Sequence, residues 1–438
     1  MATDSVHRLS GDFFQNPHAV YRELNERGPV HRVEFPSGMN AWLVTGYDLA
    51  KEVLTDPTLS KDLYGPPGEQ AESNGNTVLR LDPPVNDHML YCDPPRHTRL
   101  RKIAMKALSS GTIRDFTPRM EKIADSLLDG MADRAGTDGM AGQEPVDLLQ
   151  AYTYPFSISV ICELIGIRAS DRAEFQGWLA TQVSTADADE KHAAAARFEA
   201  YVHRLCEERA GKGGGDLVSE LMSPADDGDR LDRRELVGMV NVILLGSQET
   251  VAGLIGNAVL ILLNQPRLLA GLRRDPALVP AFLEETLRYE SSGNVATPRF
   301  TTAPVRIGGH TVDSGQIVLV APAAANRDPG RFDCPHDMDP SRPDNRHLAF
   351  GYGVHRCPGA AMARTESRIA LTRLLSRFPD LSLAVDAEEL TWQPSLISRG
   401  LLSLPVRLGR SCPAVADVGS PIPQQEQSKG LDAHGRTR

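Results

Sequence analysis

At 438 residues the chain is long enough to bury a sizeable core, and 41% hydrophobic with 24% charged residues are ordinary globular proportions. A formal net charge of -10 argues against a nucleic-acid partner. The six cysteines, at 92, 162, 206, 334, 357 and 412, are scattered without a CxxC pair, which predicts no disulfides and suits a reducing cytoplasm.

The opening "MATDSVHRLSGDFFQNPHAVYRELNERG" has no apolar signal core, so a soluble chain without an N-terminal anchor is expected. "PVHRVEF" and "AWLVTG", flanking the turn-forming "PSGMN", predict a β-hairpin. The run "DPPRHTRLRKIAMKAL" (93–108) places His97 and Arg101 four apart, on one face of a helix. Asp232 with Glu235 three residues on is a capping box, and apolar character then persists to Pro266, predicting a helix of about 32 residues. Its segment 240–264 is apolar enough to imitate a membrane span. Ser247, Gln248, Glu249, Thr250 and Asn257 interrupt it, and a mid-bilayer carboxylate is costly, so a buried core helix is expected.

Asp275-Pro276 starts a further helix, running to about Tyr289, that carries Glu285 and Arg288 on one face. "VRIGGHTVDSGQIVLV" (305–320) sets Gly308-Gly309 between two β-rich runs. The end, 411–438, is rich in Pro, Gly, Ser and Gln and reads as a disordered tail. The sum is a mainly α chain with small β-sheets and a long central helix.

One cysteine stands out. In "HLAFGYGVHRCPGAAMARTE" (347–366) Cys357 precedes Pro358 and an Ala-rich helix, so its sulfur lies at a helix N-terminus, where backbone N–H groups favour the thiolate. Gly351 and Gly353 leave no side chain to obstruct a flat ligand. A buried structural cysteine would satisfy Cys357 taken alone. The pattern F-G-x-G-x-H-x-C-x-G, here Phe350, Gly351, Gly353, His355, Cys357 and Gly359, resembles the haem-binding signature of the cytochrome P450 family.

That resemblance implies a triangular, mostly helical haem domain over residues 1–410 and Cys357 as the axial ligand of haem b, iron protoporphyrin IX. Glu285 and Arg288 resemble the family's E-x-x-R pair, with Arg342 as third member. His97, Arg101, Arg299 and His355 are implied partners of the propionates, since buried carboxylates need cations or donors. Glu249-Thr250 resembles the family's acid–hydroxyl pair for moving protons during oxygen activation. Thr250 could equally bond back to the carbonyl four residues earlier, with Glu249 in a salt bridge. Gly246-Ser247 stands where the family usually has Ala-Gly.

The resemblance further implies a cytoplasmic, monomeric monooxygenase that takes O2 and hydroxylates a small organic molecule of secondary metabolism. Neither membrane nor nucleic acid is expected as a partner. Electrons would come from a ferredoxin or flavodoxin with its reductase, docking on a basic patch of Arg96, Arg99, Arg101, Lys102, Lys106, Arg356 and Arg364. Candidate substrate contacts are Asn241, Leu245, Ser247, Gln248, Asn294, Val295, Leu396 and Ile397, with the loop at 64–90, the region 170–195 and Ser395–Ser398. Oxidative coupling or peroxide-driven oxidation would use the same site. A structural zinc protein is the rival from another class, on Cys334, His336, His347, His355 and Cys357, whose spacing fits no usual knuckle.

Overall fold

The hairpin forms as its alternation predicts. Val30–Glu34 pairs antiparallel with Asn40–Val44, Val30 opposite Val44, and buries Val30 and Val33 on its two opposite faces, in separate core clusters. It is the seed of a six-stranded sheet whose strands lie in the order His7–Arg8, Val30–Glu34, Asn40–Val44, Ile317–Val320, Arg299–Thr301 and Leu59–Ser60. In this computed structural model the described residues are 6–73, 85–135, 144–183, 187–210, 215–225 and 228–412. The expected tail beyond 412 and residues 74–84 of the candidate loop at 64–90 therefore lie outside them.

The β-rich stretch after residue 305 divides in two. Val305–Ile307 and His310–Val312 form a tight hairpin in which Gly308 and Gly309 both take positive φ, 55° and 88°. Such a two-residue turn needs φ above zero at both positions, and a Cβ on Gly308 would come within 2.6 Å of Val30 Cγ1. Ile317–Val320 leaves that hairpin and runs parallel to Trp42–Val44 at the heart of the large sheet. Four buried strand residues there explain why it carries no polar alternation.

The rest of the described chain is dominated by helices. Arg233–Leu263, 31 residues, has the expected capping box, Asp232 accepting from Glu235 N at 2.8 Å and Glu235 accepting from Asp232 N at 3.1 Å. By length and composition it could cross a membrane, yet 61% of its most apolar window is buried inside the protein. It packs against helices Tyr154–Ile165 and Ala360–Arg377 and, through Asn257, pins two distant segments: the Asn257 amide donates to Glu290 O (3.2 Å) and Arg399 O (3.1 Å). The helix after Asp275 begins one turn later than the sequence suggests. Pro276–Leu278 is a 3-10 turn capped by Asp275, and the α-helix proper is Val279–Tyr289.

Candidate active site

Cys357 sits on a turn that glycine makes possible. Gly351 and Gly353 adopt φ of 71° and 73°, and a Cβ on Gly353 would approach Leu54 O within 3.0 Å. Cys357 N closes the turn on Phe350 O at 2.8 Å, and the helix Ala360–Arg377 starts three residues further on. The Gly359 N–H and the Arg101, Arg356 and Arg364 cations favour a thiolate. Burial outweighs them in the protein alone and pushes the Cys357 thiol up. The backbone N–H expected to favour the thiolate is present at Gly359, and desolvation is the larger influence.

A buried cationic cluster adjoins the cysteine turn. His97 lies on helix Arg96–Ala107, 1% exposed, its ring 4.0 Å from that of His355. Both His97 ring nitrogens are buried without a hydrogen-bond partner. One turn along, Arg101 Nη2 donates to Arg356 O at 2.6 Å, tying this helix to the cysteine turn. Arg299 is 4% exposed on its strand, and burial pushes its guanidinium down to about 10. Burial likewise drives the His355 imidazole down to about 2, with Lys61, His97, Arg299 and Arg101 adding repulsion.

Lys61 is the residue that sequence reasoning missed, and nothing in its local pattern marks it. It is 2% exposed, and its three N–H groups are spent on Thr297 Oγ1 (2.6 Å), Pro298 O (2.9 Å) and Thr297 O (3.2 Å). It thus adds charge to the cluster without a free donor. The carboxylate acting on both Lys61 and Arg299 is Asp93. That carboxylate is already engaged by Ser60 Oγ (2.5 Å) and Lys61 N (2.9 Å). Buried cations with one committed anion, beside a histidine with two orphaned nitrogens, fit a ligand carrying carboxylates of its own.

The Glu285–Arg288 pair is fully buried, unlike a solitary pair on a helix surface. Arg288 grips both Glu285 oxygens at 2.8 and 2.7 Å and donates to Asn326 O, Pro335 O and Asp337 O. Arg342 Nε reaches Glu285 at 3.4 Å, and Asp339 N and Asn345 Nδ2 complete the carboxylate's partners. The pair locks the segment that leads into the cysteine turn.

In the middle of the central helix, Gly246 and Glu249 are exposed while 235–241 and 251–259 on either side are buried. Thr250 Oγ1 donates to Gly246 O at 2.6 Å and Ser247 Oγ to Leu244 O at 3.0 Å, both back-bonds within the helix. The salt bridge considered for Glu249 is absent among the described residues; its carboxylate receives Ser398 Oγ at 3.0 Å instead. Gln248 takes part through its carbonyl, which accepts Ser157 Oγ.

The candidate substrate contacts separate into two sets. Asn241 is fully buried, its amide donating to Val85 O at 2.9 Å, and Asn294 accepts the Tyr21 hydroxyl at 2.7 Å. Val295, 2% exposed, packs in a core cluster that Leu396 flanks. The two amides thus have long-range partners invisible in local sequence, while Asn241 Oδ1 is buried without one. Ile397 is 44% exposed and Leu245 half-buried, so both retain open surface.

The expected basic patch is partly consumed. Arg96 pairs with Asp87, Arg99 with Glu235 and Asp229, and Arg364 with Glu284 at 2.5 Å. Arg356 is exposed. The zinc alternative finds no support: among the described residues no three His, Cys, Asp or Glu side chains converge as a metal site, and His347 Nε2 is bonded to Glu284. All six cysteines are free thiols.

A cysteine sulfur beside a carboxylate-seeking cationic cluster is the donor set of haem-thiolate proteins. The family model described as Cytochrome P450 matches residues 6–189 and 174–390. The chain belongs to the cytochrome P450 family, and with it go monooxygenase chemistry, a haem cofactor, O2 and electron-donating partners. It is 41% identical over 404 residues to the cytochrome P450 monooxygenase PikC of Streptomyces venezuelae, covering 92% of this chain and 93% of the relative. It is 39% identical over 408 residues to the 6-deoxyerythronolide B hydroxylase of Saccharopolyspora erythraea, covering 91% and 98%. Among solved structures, the tirandamycin C-bound P450 monooxygenase TamI superposes with a TM-score of 0.79 at 38% identity, covering 92% of this chain and all, 100%, of that one.

Proposed function

We propose that this chain is a cytoplasmic, monomeric haem b monooxygenase that hydroxylates a secondary metabolite, with Cys357 as the residue whose sulfur would hold the haem iron. The observation that carries the reading is the buried, orphaned His97 imidazole, clustered with buried Arg299 and half-buried Arg101 and His355 next to the Cys357 turn. His97, Arg101 and Arg299 would bind the propionates, their charges kept effective by the dry surroundings. Gly351 and Gly359 leave no side chain in the approach to the sulfur, Phe350 closes the turn through its carbonyl, and the Gly359 N–H tunes the sulfur. Bound haem supplies reductive activation of O2, which thiolate ligation favours. Glu249 and Thr250 hold and pass protons at the exposed mid-helix face, Thr250 by turning its hydroxyl away from Gly246 O. Names such as 6-deoxyerythronolide B hydroxylase and tirandamycin C-bound TamI support an elaborate natural product as substrate and hydroxylation as outcome. Electrons would arrive from a ferredoxin or flavodoxin with its reductase, at the face carrying Arg356.

The test is the absorption spectrum of the reduced protein with CO. The wild type should give the thiolate-ligated band and Cys357→Ser should lose it, together with NAD(P)H-driven product formation in the presence of a reductase. An unchanged thiolate band in Cys357→Ser would overturn the reading, and product formed with peroxide alone would shift it to peroxygenation.

A further inference from the structure

We propose that Ser398 is a positioning residue for the oxygen-activating chemistry: its hydroxyl holds the Glu249 carboxylate at the place from which that group handles protons. The inference rests on the reading of Glu249 given above. It starts from the 3.0 Å bond that Ser398 Oγ donates to Glu249 Oε2, across 149 residues of sequence. Glu249 lies on an exposed stretch of helix, next to Gly246, where its side chain would otherwise sample many rotamers. One fixed donor selects among them.

Ser398 can act as that donor because its own backbone is clamped on both sides. Ser398 bridges antiparallel to Gly293, Asn294 N donates to Ile397 O at 2.8 Å, and Arg399 N donates to Ser292 O at 2.8 Å. Ser398 N is taken by Ser395 Oγ at 3.0 Å. The next residue, Arg399, is 6% exposed; its guanidinium bonds Glu290 at 3.0 Å and Phe14 O at 2.9 Å and stacks on Trp392 at 3.4 Å. Glu290 in turn accepts from His18 at 3.0 Å.

Asn257 ties the Arg399 carbonyl back to the central helix, eight positions along from Glu249, or about 12 Å at the usual rise. The loop is therefore fixed to the helix that carries the acid, and the hydroxyl is pre-placed rather than recruited. Tyr154 adds a second neighbour: burial raises its phenol, Glu249 raises it further, and Gln393 Nε2 donates to its oxygen at 2.7 Å. Gln393 and Ser398 belong to the same C-terminal loop, so one segment fixes both polar neighbours of the acid.

The experiment compares Ser398→Ala, Ser398→Thr, Glu249→Gln and the double variant Ser398→Ala/Glu249→Gln as holoenzymes. Two quantities are read: product formed per NAD(P)H consumed, and the carboxylate stretching band of Glu249 by infrared difference spectroscopy of the resting protein, Glu249→Gln serving as the blank. Ser398→Ala should lower coupling by about tenfold, the scale of one hydrogen bond to a charged group, and shift the Glu249 carboxylate stretch because that oxygen loses its donor. Ser398→Thr should restore both.

In the Glu249→Gln background, Ser398→Ala should add nothing. The tether is overturned by wild-type coupling in Ser398→Ala, by a coupling loss with an unshifted carboxylate band, or by an equal loss in the Glu249→Gln background. Full coupling in Glu249→Gln itself would sink the role given to the acid, and the tether with it. Impaired Glu249→Gln beside normal Ser398→Ala would sink the tether alone.

Discussion

The cysteine turn and the middle of the central helix are held in different ways. Around Cys357 the anchors are buried charges with many partners: Glu285 alone engages Arg288, Arg342, Asn345 and Asp339 N. Around Glu249 the side chains bond to their own helix turn or to one loop, and the surface is open. The first region carries structural load, since every partner of a buried charge must be present for any to be tolerated. The second can vary at little cost to folding, and in this chain it departs from the usual family pattern at Gly246-Ser247.

The sharpest way to break this contrast is Glu285→Gln against Glu249→Gln. The first leaves Arg288 uncompensated at 0% exposure and turns an amide NH2 toward the donors of Asn345 or Asp339. A loss of about 3–5 kcal/mol is expected from urea unfolding, with haem retention falling alongside. Glu249→Gln should stay within about 0.5 kcal/mol of wild type, as an exposed polar change does. Equal losses in the two variants would erase the distinction.

His97→Phe makes a finer division, because its sign should depend on the cofactor. In the haem-free protein both imidazole nitrogens are buried and unsatisfied, so an apolar ring of similar shape against His355 should be neutral or stabilising. In the haem-loaded protein the same change removes a hydrogen bond to a charged group, worth about 1.5–3 kcal/mol, and should speed haem loss by roughly tenfold or more. Unfolding of the apoprotein and haem transfer to an excess of apomyoglobin measure the two arms. Destabilisation of the apoprotein would mean that His97 serves the fold rather than the propionates.

What could be seen in the sequence follows from how far each contact reaches. The cysteine turn is local: glycines at positive φ, a cysteine and a helix start all lie within 347–366, so a short pattern contains most of its physics. The capping box and the length of the central helix were legible for the same reason. Lys61 was not, because its burial against Thr297 and Pro298 spans more than 230 residues and nothing around "LSKD" announces it. The partners of Asn241 and Asn294 were equally hidden. Val85 O takes the Asn241 amide and the Tyr21 hydroxyl bonds Asn294 from 156 and 273 residues away. The hairpin at 305–312 was readable from Gly308-Gly309, whereas the transfer of Ile317–Val320 into the large sheet depends on a parallel pairing with Trp42–Val44.

The smallest effect belongs to the ion pair that links the two regions' supporting helices. Glu284, on helix Val279–Tyr289, would be raised by burial, but bonds from Arg364 and His347 outweigh this and hold its carboxyl at about 2. A carboxyl depressed on folding contributes stability that is complete above its ordinary pKa near 4.5 and is lost as pH falls through about 2. Arg364→Ala should leave Glu284 with His347 alone, so the variant should begin less stable at neutral pH and lose less between pH 4.5 and 2. Both partners are a third exposed, 34% each, so solvent screens the pair and the change in slope should be modest. Urea midpoints measured across that pH window decide it: parallel curves for wild type and Arg364→Ala would mean that the salt bridge does not set the acid response of the cysteine helix.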